Sequence, residues 1–339
     1  MLCFRYKKDV CTRKVTMLDN LNSIPQSDKK QELAKDWAEG GKTGLISVKG
    51  GSVYYRFYGA EQTNTPLIFI HGGPGHSMAT FFRTTNLGKN RPVVYYNQLG
   101  SNGSDIGEEY RTKDKATELF TIERYVDELE QVIAHFGFKE YVLVGHSWGS
   151  MLAVEYAAAK QDPRLKGLVL VGPFLNVDLW LLDAKRLIHS LPDGARKYQI
   201  VQENETSGNY TKEYDEINAL YSKEFFNRIE GDDAINPSEP QKLMVKGFDV
   251  YNYMWGPTEF SCTGKLQGHD ATKLLSEINV PIQYISGEFD SGSPAAAAYY
   301  NALTPNGNVA VIEGTGHESP REKPEQFNRI VEKFLTDLS

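Results

Sequence analysis

The sequence predicts an α/β protein in which a mostly parallel sheet carries helices on both faces and receives one inserted helical segment. Three observations predict it. Short continuous apolar runs recur along the chain, amphipathic helical patterns separate most of them, and one long stretch, residues 173 to about 277, breaks the alternation. Continuous apolar runs mark strands buried on both faces, as in a parallel sheet; strands with one wet face alternate instead.

The elements follow in order. "GLISVKGGSVYYRFYGA" holds two alternating runs about Gly50-Gly51, which predicts a hairpin and gives the sheet an antiparallel edge. "PLIFIHGG", "RPVVYYNQLG", "YVLVGHS", "LKGLVLVG", "PIQYISGEFD" and "GNVAVIEGTGH" then read as six buried strands. Between them, "TIERYVDELEQVIAHFG" puts Val126, Leu129, Val132 and Ile133 on one helical face, and "EKPEQFNRIVEKFLTDL" predicts an amphipathic C-terminal helix. Residues 173–277 are polar, aromatic and helical in pattern, and read as a helical cap set into a core made of 41–172 and 278–339. Residues 1–40 read as an N-terminal extension. Its basic start, with Arg5, Lys7, Lys8, Arg13 and Lys14 against Asp9, has the character of a solvated tail.

Composition narrows the class. A chain of 339 residues, 40% of them hydrophobic, can bury a large core. The net charge of −7 is spread along it, so no basic stripe for nucleic acid and no polybasic membrane patch is expected. No run approaches the roughly 20 apolar residues that cross a bilayer. "MLCFRYKKDVCTRK" carries charge where a secretory apolar core belongs, so the expected location is cytoplasmic. Cys3, Cys11 and Cys262 are odd in number and lack metal-ligand spacing, which predicts free thiols and no metal site.

The chemistry centres on Gly145-His146-Ser147-Trp148-Gly149. This G-x-S-x-G sits between a buried strand and a helix, a turn so tight that glycines must flank the serine. The blander alternative is a glycine-rich turn with a capping serine. A serine hydroxyl needs a base, and the base needs an orienting acid. Asp290 ends "PIQYISGEFD" and His317 ends "VAVIEGTGH", so two later strands deliver them to the rim that carries Ser147. His71 and His146 fit a scaffold role beside glycine turns, whereas His76, His135, His189 and His269 do not follow a strand in the required order. Glu288 rivals Asp290, but Asp290 lies nearer the point where the chain turns toward the site. "HGGPG", residues 71–75, offers backbone rather than side chains, and the N–H groups of Gly73 and Trp148 are the expected oxyanion hole.

Together these features resemble the α/β-hydrolase superfamily. The ordered set "HGGPG", "YYNQLGSNGSD", "GHSWGS", "YNYMWGPTEF", "GEFD" and "GTGHESPREKPEQF", spanning roughly residues 44 to 335, resembles the proline iminopeptidase family of serine aminopeptidases. The resemblance implies an α/β-hydrolase fold with a helical cap, cleavage of an amide beside a free amino-terminal residue of a small molecule or short peptide, and no cofactor. It also implies that Glu259, in "GPTEF", grips the substrate's ammonium group. Two positions depart from the family pattern: Asn97 stands where aspartate is usual, and Ser291 stands where a second amine-binding glutamate directly follows the triad aspartate. A hydroxyl cannot replace that charge. Two other readings stay open: an esterase or amidase acting on a small metabolite without a free amine, and a non-catalytic ligand-binding protein on the same fold. Phe174, Tyr253, Trp255 and Phe260 are the aromatic candidates for the pocket wall. Oligomeric state is not readable.

Overall fold

The computed structural model describes residues 40–229 and 248–338, together with Trp37, Pro237, Pro240 and Val245. Residues 1–36 of the N-terminal extension, with Cys3 and Cys11, lie outside the described residues.

The strands are β1 (Lys42–Val48), β2 (Gly51–Tyr58), β3 (Leu67–Ile70), β4 (Val93–Asn97), β5 (Asp105–Ile106), β6 (Tyr141–His146), β7 (Leu165–Val171), β8 (Ile282–Gly287) and β9 (Gly307–Ile312). One sheet joins them in the order β1-β2-β4-β3-β6-β7-β8-β9. β1 and β2 form the antiparallel hairpin, β2 also runs antiparallel to β4, and every pair from β4 to β9 is parallel. The short β5, antiparallel to β2, has too few residues to leave a pattern in the sequence.

Alternate residues of the central strands feed two separate cores, as a pleat of period two requires. Ile68, Ile70, Leu143, Leu168, Leu170 and Tyr284 belong to one, and Leu67, Phe69, Val142, Val144, Val169 and Val171 to the other. On the first face pack α1 (Ile122–Phe136) and α2 (Trp148–Lys160). Helix α1 starts at a Thr121 cap that accepts the Arg124 N–H at 3.2 Å, and it buries Val126, Leu129, Val132 and Ile133. The second face is covered by a 3₁₀ run, Met78–Lys89, and by the C-terminal helix, through Phe81, Phe82, Phe327 and Val331.

Between β7 and β8 come α3 (Val177–Ser190), α4 (Gly194–Ser207), α5 (Lys212–Tyr221) and the short α6 (Val250–Met254), before α7 (Pro294–Ala302) and α8 (Pro324–Asp337) complete the chain. Among the described residues this inserted segment holds no strand, only the isolated bridges Asn176–Asp270 and Thr258–Ser261. It has a small apolar core of its own, with Leu187, Ile188, Val201, Tyr214, Ile217 and Tyr221. No described helix is long and apolar enough to cross a membrane.

Candidate active site

Ser147 occupies a single residue between β6 and α2, at φ 54° and ψ −121°. A non-glycine residue there costs about 1–3 kcal/mol and persists only where its surroundings fix it. Here the Ser147 N–H donates to the Val171 carbonyl at 2.9 Å, and the Ser147 carbonyl accepts the Ser150 N–H at 2.8 Å. The flanking glycines are required by contact. A Cβ on Gly145 would lie 2.2 Å from the Gly149 carbonyl oxygen, and one on Gly149 would lie 2.1 Å from that of Ile70. Any side chain at either position would force β6, α2 and β3 apart.

Asp290 and His317 lie just beyond the carboxyl ends of β8 and β9, and their side chains meet: His317 Nδ1 is 2.7 Å from Asp290 Oδ1, with both residues buried. Asp290 also accepts the Gly292 N–H at 2.7 Å and the Gly287 N–H at 3.2 Å. A carboxylate so supplied leaves Nδ1 of His317 protonated and Nε2 as the basic atom. Burial disfavours the charged imidazole, but the Asp290 carboxylate, with Glu318 and Glu259 assisting, outweighs it and holds the His317 pKa above its ordinary value. Glu288, the rival acid, is exposed and accepts the Gly314 N–H at 2.8 Å. The His317 ring is enclosed by Trp180, Phe226 and His146, at centroid distances of 5.4, 5.0 and 4.6 Å. His146 Nε2 donates to the His317 carbonyl at 2.9 Å.

"HGGPG" lies against the serine: a Cβ on Gly72 would be 3.0 Å from that of Ser147. Gly73 has φ 113°, and a Cβ there would meet the His76 nitrogen at 2.7 Å. Gln98, which the sequence reading passed over, ties this loop to the start of α2. Its backbone N–H donates to His71 Nε2 at 3.0 Å, its amide nitrogen donates to the His71 carbonyl at 2.9 Å, and its amide oxygen accepts the Trp148 indole N–H at 2.9 Å. Asn97 is equally well used. Its oxygen accepts the Met78 N–H at 2.7 Å and its amide nitrogen donates to the Asn102 carbonyl at 2.6 Å, which an aspartate could not do.

Ser147, His317, Gly73 and Glu259 line one cavity. Glu259 comes from the inserted segment. Burial pushes its carboxyl above the usual range, against the Tyr251 hydroxyl, which donates to Oε1 at 2.5 Å, and against His317. Tyr251 in turn stacks on His76, with centroids 5.2 Å apart and planes 10° from parallel. Of the four aromatic candidates, Phe174 and Trp255 line the cavity; Tyr253 and Phe260 do not. Tyr253 packs on Phe248, and Phe260 packs on Tyr214 and Tyr221 in the insertion's own core, so their apolar surface is already used. Trp180 and Phe226 take the wall positions instead. Ser291 is 1% exposed and is not on the cavity wall. Cys262 is a buried free thiol. Among the described residues no group of three or more histidine, cysteine, aspartate or glutamate side chains could hold a metal ion.

Comparison with known proteins places this geometry. The family model described as the alpha/beta hydrolase fold matches residues 65–324. A proline iminopeptidase from Heyndrickxia coagulans is 34% identical over 296 residues, 87% of this chain and 99% of that protein. Among solved structures, VinJ superposes with a TM-score of 0.76 at 28% identity, over 88% of this chain and 99% of VinJ. The proline iminopeptidase of Mycobacterium smegmatis gives 0.74 at 25% identity, over 88% and 98%. On these grounds the chain belongs to the α/β-hydrolase family, is a relative of the proline iminopeptidases, and is a serine hydrolase.

Proposed function

We propose that this enzyme removes an amino-terminal residue from a short peptide or aminoacyl amide through an acyl-enzyme. Ser147 is the nucleophile. As its Oγ attacks the scissile carbonyl, the hydroxyl proton passes to His317 Nε2, and Asp290 stabilises the resulting imidazolium. The carbonyl oxygen becomes negative and accepts hydrogen bonds from the Gly73 and Trp148 N–H groups, which Gln98 holds in mutual register. Collapse breaks the C–N bond, and the proton on His317 leaves with the amine. A water then attacks the Ser147 ester with His317 again as base, releasing the free acyl product and restoring the hydroxyl.

The observation that carries the amine requirement is a half-buried carboxylate, Glu259, in the same cavity as Ser147 and His317. A carboxylate partly withdrawn from solvent calls for a cation, and an ammonium group at the acyl residue supplies one. The test compares prolyl and alanyl arylamides with their N-acetylated forms and with short acyl esters. Faster cleavage of the free-amine arylamides is expected; preference for the blocked amides or the esters would replace this reading by that of an esterase or amidase.

A further inference from the structure

The turn that carries Gln98 rests on a buried ion pair. Arg124 and Glu128 lie one turn apart on α1, with side chains 4% and 1% exposed, and the guanidinium donates to Glu128 Oε2. Burial pushes the Glu128 carboxyl above its ordinary pKa, and the Arg124 charge opposes that shift. Such a pair is a poor source of stability, because desolvating two ions commonly costs as much as their attraction returns, and apolar residues of similar volume often serve as well. Its position calls for another reason. Neither residue is on the cavity wall, so any part in the reaction is indirect.

What the pair holds is Leu99, the residue after Gln98. Both carboxylate oxygens of Glu128 accept the Leu99 N–H, at 3.3 and 3.2 Å, and the Tyr125 hydroxyl, from the same helix, donates to the Leu99 carbonyl at 3.4 Å. The peptide group between Gln98 and Leu99 is thus fixed from α1, while the Gln98 side chain and N–H are spent on His71 and on the Trp148 indole. Arg124 aims the carboxylate. Its Nε donates to the Leu119 carbonyl, and its guanidinium carbon lies 3.9 Å from the centroid of the Tyr125 ring, whose edge-to-face partner at 5.6 Å is Trp148. Two routes therefore run from α1 to the start of α2, one through Leu99 and Gln98 and one through Tyr125. Both end at Trp148, the residue assigned to the oxyanion hole.

We propose that the Arg124–Glu128 pair is a positioning device for the oxyanion hole: Glu128 fixes Leu99, Leu99 fixes the Gln98 side chain, and Gln98 sets the His71 loop against Trp148. A displaced oxyanion donor weakens the transition state far more than it weakens bound substrate, so an ion pair buried outside the cavity can be felt in kcat. The inference rests on the reading that the Gly73 and Trp148 N–H groups stabilise the oxyanion, and it extends that machinery to two side chains that touch no substrate.

The experiment measures kcat and KM for alanyl p-nitroanilide and p-nitrophenyl acetate, together with thermal unfolding, in a cycle of wild type, Gln98→Ala, Arg124→Met/Glu128→Met and all three changes combined. The methionine pair removes both charges and leaves no unpaired ion, so its unfolding temperature should stay near wild type. On both substrates its kcat should fall about tenfold with KM within about twofold. In the Gln98→Ala background the same change should cost about twofold or less, because both act through one chain of contacts. Arg124→Met/Glu128→Gln, which restores a neutral acceptor for the Leu99 N–H, should regain most of the loss. If the methionine pair does not fold, Glu128→Asp, which keeps the charge but withdraws the carboxylate by one methylene, takes its place and the same loss is expected. An unchanged kcat in the pair variant, a loss that falls on KM alone, or a loss that adds in full to that of Gln98→Ala overturns this inference alone. A Gln98→Ala enzyme with wild-type kcat overturns the proposed register of the oxyanion hole and this inference with it.

Discussion

The sheet and the inserted segment contribute to one cavity in different ways. Ser147, Asp290 and the loop at Gly73 are held mainly by backbone: main-chain hydrogen bonds at Ser147, two N–H donors at Asp290, and glycines packed so closely that neighbouring backbone atoms occupy the space of a Cβ. Glu259 and the wall residue Trp180 are held by side chains, through the Tyr251 hydroxyl and by an aromatic contact with the His317 ring, while Phe226 adds to its ring contact one main-chain bond, its carbonyl accepting the Glu318 N–H at 2.9 Å. The insertion keeps a core of its own. Backbone constraint tolerates little change, whereas side-chain constraint can be re-formed by other residues. The difference teaches where reaction and selectivity reside: substitutions in the sheet should slow every substrate alike, and substitutions in the insertion should discriminate among them.

The largest break should come at the serine. Ser147→Ala is expected to lower kcat by about a millionfold on every substrate, in line with triad serines elsewhere, and to abolish phosphonate labelling while the thermal unfolding temperature stays near wild type. Asp290→Asn should cost about 10⁴-fold in kcat and should also move the pH profile. With His317 as the proposed base, its neutral form is the active one, so kcat/KM is expected to rise with pH through its pKa. Because the Asp290 carboxylate raises that pKa, its removal should shift the rising limb of the profile toward lower pH. A limb that stays in place would mean that the pairing seen at 2.7 Å does not set the charge of the base.

On the other side of the comparison, Glu259→Gln should lower kcat/KM for free-amine arylamides by about 10–100-fold, the loss expected for one charge-assisted hydrogen bond, and leave N-acetylated substrates within about twofold. Uniform loss on both would move Glu259 from selectivity to scaffold. The smallest effect should come from Gln98→Ala, which cuts the tie between the His71 loop and Trp148. It is expected to lower kcat by about tenfold with little change in KM, since misplaced oxyanion donors act on the transition state rather than on bound substrate. A change in KM alone would show that Gln98 shapes the pocket and not the oxyanion hole.

Much of the sheet side was legible in the sequence because its signals are local. Gly145 and Gly149 announce a tight turn, and Asp290 and His317 follow apolar runs in chain order. Gln98 was not legible, since its role depends on His71 and Trp148, which the sheet brings to it from well before and well after in the chain. That Ser291 lies buried off the cavity wall was not legible either, since whether a residue reaches the wall depends on how two loops lean, which no periodicity encodes. For the same reason Phe174 and Trp255 could not be told from Tyr253 and Phe260, as all four are aromatic and lie in one polar, helical stretch.

The bond from His146 to the carbonyl of His317 crosses 171 positions of sequence and joins the end of β6 to the loop after β9. It fastens the neighbour of Ser147 to the main chain that bears His317, in the manner of a rivet through two plates. The covering segment adds a second fastening, because the His317 N–H donates to the Phe225 carbonyl at 3.0 Å, so any exchange of its helices has to leave that one carbonyl where it is.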